Sequence, residues 1–371
     1  MRIAIDGQLL GGRYSGVERC ILELVRHLQA LDSPHHFVLY VPRDFREPLP
    51  ASERWTVRRT EVPPGRRAQR IFWQQWVLPR QLERDRIDLL HGPGYILPWR
   101  VGRPAVVTIY DLIALQYPAW CRRSNVWHYR LLLPRSARQA RAVIVPSAAT
   151  RTALETELHL PAERIHLIPP GVPERFQVLS DPSRLAEVRR KYGLPERFVL
   201  FVGNIEPKKN LETALQAFAA LRRRGRTEGF VIVSAKSWAD RAVRQTLAAL
   251  GKAVQDLGYV PDSDLLGIYN LAQVLVFPSL VEGFGLPPLE AMACGTPVVT
   301  SNRPALPEVV GEAALQVEAR DVGALAAALE LVLTDADLRR EMIQRGLERA
   351  ARFSWKRAAE RTMEVYQKCL G

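Results

Sequence analysis

Short β-rich runs alternate with longer helical patterns along the chain, and this alternation constrains the fold more than any other feature. It is typical of parallel sheets covered by helices. Strands are predicted in two series, at residues 2–6, 37–41, 89–91, 105–109 and 142–145, and then at 198–202, 230–234, 274–277 and 297–300. Because 371 residues exceed one ordinary core, we predict two doubly wound α/β domains that face a cleft.

Composition excludes several classes of protein. The apolar fraction of 47% and the charged fraction of 25% are those of a folded chain, not of a disordered or fibrous one. The first residues do not resemble a signal peptide, and no apolar run is long enough to span a bilayer. The four cysteines lie far apart in sequence, so neither zinc nor disulfides are indicated, and a cytoplasmic location is expected.

Positive charge is concentrated in the first half of the chain. Residues 1–170 hold 25 arginines, no lysine and 15 acidic residues, for a net charge of +10, whereas the rest of the chain carries +3. Such asymmetry indicates an acidic partner: nucleic acid, anionic lipid or a phosphorylated substrate. The alternative is a well-solvated, arginine-rich surface with no partner.

A glycine-rich loop at 11–16 follows the first predicted strand and leads into a helix. Gly11 and Gly16 have the spacing of a P-loop, but Val17 and Glu18 follow instead of Lys-Ser, so nucleotide-triphosphate chemistry is not indicated. A loop that opens a helix can still hold an anion or a sugar hydroxyl. The alternative is a tight turn.

A second polar loop, 203–210, connects a buried strand to a helix. Lys208 and Lys209 could neutralise a diphosphate there without a metal, although paired lysines in loops are often only solvated. Asn210 is the predicted N-cap of the helix.

The loop at 282–290 carries the strongest signal. Its glycines allow a ligand to approach the backbone, and Pro287 suits the first turn of the predicted helix 286–293. Glu282 is the first residue of this segment, before its glycines, and Glu290 lies one turn into the helix, where a carboxylate can accept two hydrogen bonds from a ribose cis-diol. The alternative is that both glutamates are ordinary surface or helix-dipole residues.

Two Asp-x-Asp strings, 262–264 and 335–337, could hold Mg²⁺ beside a diphosphate. Both precede apolar helical patterns, where aspartate is expected as a helix cap. We therefore predict no metal site and no cofactor.

Taken together, these segments resemble the retaining glycosyltransferases of family 4, with the GT-B fold of two Rossmann-like domains facing a cleft. The mannosyltransferase-like branch is the most similar. The resemblance covers most of the chain, in segments 15–16, 108–112, 145–147, 168–172, 202–210, 258–261, 277–290 and 295–299.

The resemblance implies a domain plan. Residues 1–170 would bind the acceptor, 171–195 would be a linker, and 196–353 would bind the nucleotide sugar. The terminal helix, 354–371, would return to the N-terminal domain. The expected donor is a nucleoside-diphosphate sugar, with GDP-mannose favoured, and the expected acceptor is a glycan or a lipid-linked glycan.

The resemblance also assigns roles to residues. Lys209 matches the diphosphate-binding lysine, Glu282 the glutamate facing the donor sugar, and Glu290 the ribose-binding glutamate. Asp111 joins Glu282 and Lys209 as an expected catalytic residue. Further expected donor contacts are Gly16, Asn204, Lys208, Lys236, Val260, Phe284, Gly285 and Leu286.

Two positions depart from the family pattern. Asn204 stands where many relatives carry arginine, so Lys208 is the expected second cation on the diphosphate. Tyr110 stands where relatives often carry histidine before Asp111, and both residues are expected to face the acceptor. A tyrosine can donate a hydrogen bond but does not titrate near neutral pH.

Other interpretations remain open at this point. An epimerase or a phosphorylase could share the architecture, because a fold does not fix a reaction. A nucleic-acid-binding protein would need a recognisable basic and aromatic module, and none is seen.

Residues 65–86 mix six arginines with apolar residues, two of them tryptophans. Ile71, Phe72, Gln75 and Leu78 are predicted near one helical face, which the neighbouring residues 73, 76 and 77 widen. The segment is either a core helix with arginines at its ends or a site of peripheral contact with the inner face of the membrane.

Overall fold

The structure, a computed structural model, describes residues 1–11, 16–49, 52–63, 65–235 and 241–371. The chain divides into two compact units. Residues 1–171 and 354–371 form the first, and residues 172–353 form the second. Each unit contains one parallel sheet, so the predicted pair of Rossmann-like domains is confirmed.

The first unit has a seven-stranded sheet in the order β3-β2-β1-β4-β5-β6-β7. Its strands are β1 Arg2–Asp6, β2 His36–Val41, β3 Trp55–Arg59, β4 Leu89–Gly92, β5 Ala105–Thr108, β6 Ala142–Val145 and β7 Ile165–Leu167. Its helices before the second unit are α1 Gly16–Ala30, α2 Arg67–Phe72, α3 Leu78–Arg84, α4 Ile113–Gln116, α5 Arg123–Gln139 and α6 Ala148–Leu158.

The second unit has a six-stranded sheet in the order β10-β9-β8-β11-β12-β13. The helices are α7 Pro182–Tyr192, α8 Leu211–Arg223, α9 Arg241–Leu250, α10 Asp262–Leu271, α11 Leu286–Ala293, α12 Leu306–Val310, α13 Val322–Thr334 and α14 Ala336–Ala350. The strands are β8 Phe198–Val202, β9 Gly229–Val233, β10 Val254–Asp256, β11 Val274–Phe277, β12 Val298–Ser301 and β13 Leu315–Val317.

Both faces of the second sheet are buried. Along β8, Phe198 and Leu200 pack into one hydrophobic cluster, whereas Val199 and Phe201 pack into another on the opposite face. This is why the strand reads as an unbroken apolar run. Strand order reverses between β8 and β11, which lie side by side, so the loops after these two strands leave the sheet at the point where α/β folds bind ligands.

The segment predicted as a linker, 171–195, differs from the prediction. Residues 172–195 belong to the second unit, and 11 of them form helix α7, which packs against α10. Asp181 caps the helix by accepting a hydrogen bond from the Ser183 N–H at 2.9 Å, and Gly193 ends it in the left-handed conformation. Val188, the buried residue of α7, packs against Gly267, where a Cβ would lie 2.8 Å from a Val188 methyl group.

The terminal helix α15, Trp355–Leu370, belongs to the first unit and packs against α1 and strands β4 to β6. Ser354 caps its start by accepting a hydrogen bond from the Arg357 N–H. The hydroxyl oxygen of its buried Tyr366 lies 2.6 Å from Nδ1 of His91 on β4. No helix among the described residues combines the length and apolar character needed to cross a bilayer.

His91 is fully buried, and its other ring nitrogen, Nε2, lies 2.8 Å from Thr108 Oγ1. Two hydroxyls therefore satisfy both ring nitrogens of the neutral imidazole. Burial lowers the pKa of His91 to about 3, from an ordinary 6.5. Below pH 6.5 the unfolded chain therefore binds a proton that the folded chain does not bind.

This burial predicts a loss of stability in acid. Between pH 6 and pH 4, His91 should lower the free energy of unfolding by about 1.4 kcal/mol per pH unit. Urea unfolding at several pH values measures how the free energy of unfolding depends on pH. This dependence should be smaller in His91→Gln than in the parent chain by the contribution of His91. His36→Gln, at an exposed histidine, is the control. Equal slopes for His91→Gln and the parent would contradict the prediction.

Candidate functional site

The loops that follow β8 and β11 are joined by the side chain of Asn210. This residue has a left-handed backbone, with φ of 55°, and its Nδ2 donates to the carbonyl oxygens of Pro278 at 3.0 Å and Ala319 at 2.6 Å. Its Oδ1 accepts a hydrogen bond from the Thr213 hydroxyl at 2.8 Å. A backbone bond of 2.8 Å, from Leu280 N–H to the carbonyl of Lys208, adds to the connection. The two loops therefore hold each other in a fixed position.

The predicted N-cap role of Asn210 is corrected by this geometry. Asn210 does occupy the position before α8, but its side chain accepts no hydrogen bond from a backbone N–H of the first turn, and its Oδ1 accepts from the Thr213 hydroxyl instead. A left-handed residue directs its side chain elsewhere, and asparagine tolerates that conformation better than most residues. Asn210 therefore ties two loops together and does not cap the helix.

This arrangement brings Lys209 and Glu282 together. Lys209 Nζ lies 2.6 Å from Glu282 Oε1, and the two side chains are only 14% and 10% exposed. The aliphatic part of Lys209 runs over Gly203, and its ammonium group lies 4.7 Å from the centre of the Phe277 ring. The structure therefore brings together two residues that the sequence analysis selected separately, and they form a largely buried ion pair.

Glu282 is ionised at neutral pH. Burial alone would raise its pKa, but attraction to Lys209 and Lys208, with the hydrogen bond from Lys209, outweighs burial and holds the pKa below its ordinary value. Ser279 adds to this lowering, yet its fully buried Oγ has no hydrogen-bond partner of ordinary geometry among the described residues. We therefore attribute the charged state of Glu282 to the lysines.

Glu206 contacts both Asn204, at which the loop departs from the family pattern, and Lys208, the expected substitute cation. Lys208 Nζ lies 3.8 Å from Glu206 Oε2, and Asn204 Nδ2 donates to Glu206 Oε1 at 3.3 Å. Because Lys208 also lowers the pKa of Glu282, its charge acts on the same site as that of Lys209. Asn204 contributes no charge there.

The backbone of the 282–290 loop is fixed by its glycine and its core contacts. Gly285 has φ of 120°, and a Cβ at this position would lie 2.8 Å from a Leu306 methyl group. The Phe284 side chain is buried, with its ring centre 5.7 Å from that of Phe353. The side chain of Phe284 therefore belongs to the core, and the donor contact predicted at this position would have to come from its backbone. Leu286 begins α11 as predicted.

A tyrosine that no sequence pattern singles out positions Glu290. Glu290 is only 3% exposed, and its Oε2 accepts a hydrogen bond from the Tyr269 hydroxyl at 2.9 Å. Tyr269 in turn is held by Thr296, whose hydroxyl donates to its carbonyl oxygen at 2.6 Å. In the sequence, Tyr269 looks like any apolar residue of a core helix.

In the first unit, Asp111 is engaged by its neighbours. Its Oδ2 accepts a hydrogen bond from the Tyr95 hydroxyl at 2.9 Å, and its Oδ1 accepts one from the Ile113 N–H at 3.0 Å. Tyr110 and Tyr129 pack edge-on against Tyr95, with ring centres 5.5 and 5.4 Å apart. Burial, together with Cys20 and Glu18, raises the Tyr110 pKa well above its ordinary value, so Tyr110 stays neutral.

The remaining predicted contacts are distributed as follows. Gly16 is exposed at the start of α1 in the first unit, and Val260 is a buried core residue of the second. Lys236 lies outside the described residues, as do Gly12 to Ser15 of the first glycine-rich loop.

The Asp-x-Asp strings have structural partners. Asp262 pairs with Arg175 at 2.9 Å, and Asp264 pairs with Lys191 at 2.7 Å. Asp335 caps α14 by accepting hydrogen bonds from two backbone N–H groups. Over the ranges that the structure describes, no cluster of three or more histidine, cysteine or acidic residues could hold a metal ion.

Comparison with known proteins identifies the family. Residues 14–176 match the model described as Glycosyltransferase Family 4, and residues 186–349 match the model described as Glycosyl transferases group 1. The chain is 35% identical to an O-antigen chain mannosyltransferase B of Escherichia coli over 304 residues, which cover 79% of this chain and 77% of that protein. The chain belongs to glycosyltransferase family 4.

Solved structures agree on the GT-B fold. A sucrose-phosphate synthase from Thermosynechococcus elongatus has a TM-score of 0.78 at 22% identity, covering 99% of this chain and 98% of that one. Anabaena HepE, solved in complex with UDP and glucose, has a TM-score of 0.76 at 18% identity, covering 99% and 100%.

The hydrogen bonds of Asn210 generate a prediction. Asn210→Ala should lower the free energy of unfolding by about 1–3 kcal/mol, because buried carbonyl groups lose their donors. Asn210→Gly, which tolerates the left-handed backbone, should recover only the conformational part of this loss. Chemical denaturation measures both effects, and Asn204→Ala, which loses one 3.3 Å bond, is the control. Equal stability of Asn210→Ala and Asn204→Ala would contradict the role of Asn210.

Proposed function

We propose that this family 4 glycosyltransferase moves mannose, with retention of configuration, from GDP-mannose to a glycan or a lipid-linked glycan in the cytoplasm. The observation that carries the proposal is the largely buried Lys209–Glu282 pair, in a loop pair fixed by Asn210. The similarity to an O-antigen mannosyltransferase supports mannose as the sugar.

Lys209 would bind the donor diphosphate. Breaking the anomeric bond develops negative charge on the leaving diphosphate, and a preorganised lysine in a water-poor site stabilises that charge strongly. In the structure Lys209 is neutralised by Glu282 at 2.6 Å. A diphosphate is a stronger electrostatic partner than one carboxylate, so donor binding would free Glu282 to accept hydrogen bonds from sugar hydroxyls.

Glu290 would bind the ribose. Its carboxylate accepts a hydrogen bond from the Tyr269 hydroxyl at Oε2. A carboxylate has more than one lone pair on each oxygen, so it retains the capacity to accept from a cis-diol.

Retention removes the need for a titrating base on the acceptor side. Attack from the face of the leaving group lets a phosphate oxygen take the acceptor proton. Tyr110, with its raised pKa, and Asp111, whose oxygens both accept hydrogen bonds, would then orient the acceptor.

Removal of the lysine tests the diphosphate role. Lys209→Ala should lower kcat by an amount equivalent to about 2–4 kcal/mol of transition-state stabilisation. Lys208→Ala should have a smaller effect, and Lys252→Ala, at an exposed lysine of the same unit, should have none. Steady-state transfer assays with GDP-mannose and UDP-glucose measure this and compare the two donors. Unchanged turnover in Lys209→Ala would show that the assignment is wrong.

Removal of Glu290 tests the ribose role. Glu290→Ala should weaken binding of GDP by about tenfold to a hundredfold, because hydrogen bonds to a charged group are lost. Binding of inorganic diphosphate, which has no ribose, should be unchanged. Titration calorimetry with both ligands separates the two cases. Equal losses for both would indicate a general collapse of the site.

The role of the lysines also predicts metal independence. If lysines and backbone amides carry the diphosphate, transfer should continue in excess EDTA. An absolute requirement for Mg²⁺ or Mn²⁺ would contradict metal-independent transfer and would make Asp262 and Asp264 candidate metal ligands.

A further inference from the structure

Exposed apolar side chains are concentrated on one part of the first unit. Ten large hydrophobic side chains are exposed among the described residues, and five of them lie on α2, the turn after it, the loop 95–100 and α5. They are Phe72 at 61%, Trp76 at 61%, Trp99 at 42%, Trp127 at 74% and Leu131 at 62%. Isolated exposed apolar residues are common, but a concentration of three tryptophans needs an explanation.

The structure shows which residues of 65–86 face outward. α2 continues through a π-helical turn, Trp73–Val77, into α3. Pro79 lacks an N–H and cannot continue a regular α-helix, which accounts for the wider turn before it. Trp73 and Leu78 are buried, whereas Phe72 and Trp76, four residues apart, are exposed. The predicted single apolar face is therefore divided between the core and the surface.

Helix α5 presents a similar exposed stripe. Trp127, Leu131, Arg135 and Arg138 follow one another at helical spacing, and all are exposed. Between residues 122 and 139 there are five arginines and no acidic residue. The stripe therefore combines apolar and positively charged groups.

Direct contacts join these segments into one surface. Arg67 at the start of α2 bonds to Asn125 and Ser124 of α5. Gln75 accepts a hydrogen bond from the Trp99 N–H at 2.7 Å. Arg135 of α5 stacks on the Trp99 ring at 4.0 Å and donates to the Trp99 carbonyl. We call residues 66–84, 95–100 and 122–138 together the arginine–aromatic face.

The charge on this face is almost entirely positive. Its arginines are Arg66, Arg67, Arg70, Arg80, Arg84, Arg100, Arg122, Arg123, Arg130, Arg135 and Arg138, and its acidic residue is Glu83. Tryptophan beside arginine is the composition of protein segments that lie in the headgroup region of a bilayer.

We propose that the arginine–aromatic face docks on a bilayer that contains anionic phospholipid. Phe72, Trp76, Trp127 and Leu131 enter the interface, and the arginines contact lipid phosphates. A second copy of the chain fits less well, because a twofold contact would bring the arginines of two α5 helices together. The docking proposal rests on the proposed function in one respect only: docking would give the enzyme access to a lipid-linked acceptor.

Vesicle binding tests the proposal without any donor or acceptor. The full chain should co-sediment with vesicles of phosphatidylcholine and phosphatidylglycerol. The bound fraction should fall sharply when NaCl is raised from about 0.1 to about 0.5 M, because salt screens the attraction between arginines and lipid phosphates. Tryptophan fluorescence should shift to shorter wavelength on binding. Vesicles of phosphatidylcholine alone should bind far less.

Two sets of variants separate the apolar and charged contributions. Trp76→Ser with Trp127→Ser should abolish the fluorescence shift. Arg123→Gln, Arg130→Gln and Arg138→Gln together should weaken binding by roughly tenfold to a hundredfold. The matched controls are Leu331→Ser with Tyr259→Ser, and Arg184→Gln, Arg190→Gln and Arg223→Gln together, at exposed positions of the second unit.

Several outcomes would overturn the proposal: no binding to anionic vesicles, binding that ignores lipid charge and salt, or equal effects of the test and control variants. Preferred binding to duplex DNA, or a dimer that the tryptophan variants dissociate, would assign the face to those partners instead. Donor-dependent activity on a soluble acceptor reports on the catalytic proposal separately.

Discussion

The site of the second unit depends on one interaction, an ion pair between a carboxylate and an ammonium group that is held away from water. Lys209 Nζ lies 2.6 Å from Glu282 Oε1, and both side chains are largely buried. Removing two charges from water costs free energy that their attraction repays only in good geometry. Such a pair is therefore a poor device for stability and a useful one for function, since an anionic ligand can replace Glu282 as the partner of Lys209. The fold supplies the geometry through Asn210, which binds two neighbouring carbonyl groups.

The position of this pair follows from the sheet. Strand order reverses between β8 and β11, so two loops leave the sheet side by side, although Asn210 and Pro278, which join them, are 68 residues apart in sequence. The apolar residues of both strands are buried on both faces, which fixes the strand ends and therefore the origins of the loops. The position of the ion pair at the carboxyl ends of β8 and β11 thus depends on hydrophobic packing in the middle of the sheet.

The sequence predicted the centre of each sheet well and its edges poorly. All nine predicted strands are present with ends shifted by no more than one residue, and the four strands that were missed, β3, β7, β10 and β13, are the edges of the two sheets. A central strand is buried on both sides and must be apolar throughout, whereas an edge strand such as Trp55–Arg59 can carry exposed arginines. Helix α11 was predicted correctly because its proline and glycine boundaries are local signals. The roles of Asn210 and Tyr269 were not, because hydrogen bonds between distant loops leave no periodic trace in a sequence.

The first unit shows why a departure from a family pattern need not remove an activity. Where relatives often carry histidine, Tyr110 packs against Tyr95, and Tyr95 donates its hydroxyl hydrogen to Asp111. A histidine in this place would introduce a group that can titrate, whereas Tyr110 remains neutral because burial raises its pKa. If the leaving phosphate accepts the proton, the acceptor side needs only shape and hydrogen bonds, and three packed tyrosines supply a rigid surface of that kind. The charge of the proposed reaction is then concentrated where Lys209 and Glu282 lie, and the tyrosine cluster can vary without changing the chemistry.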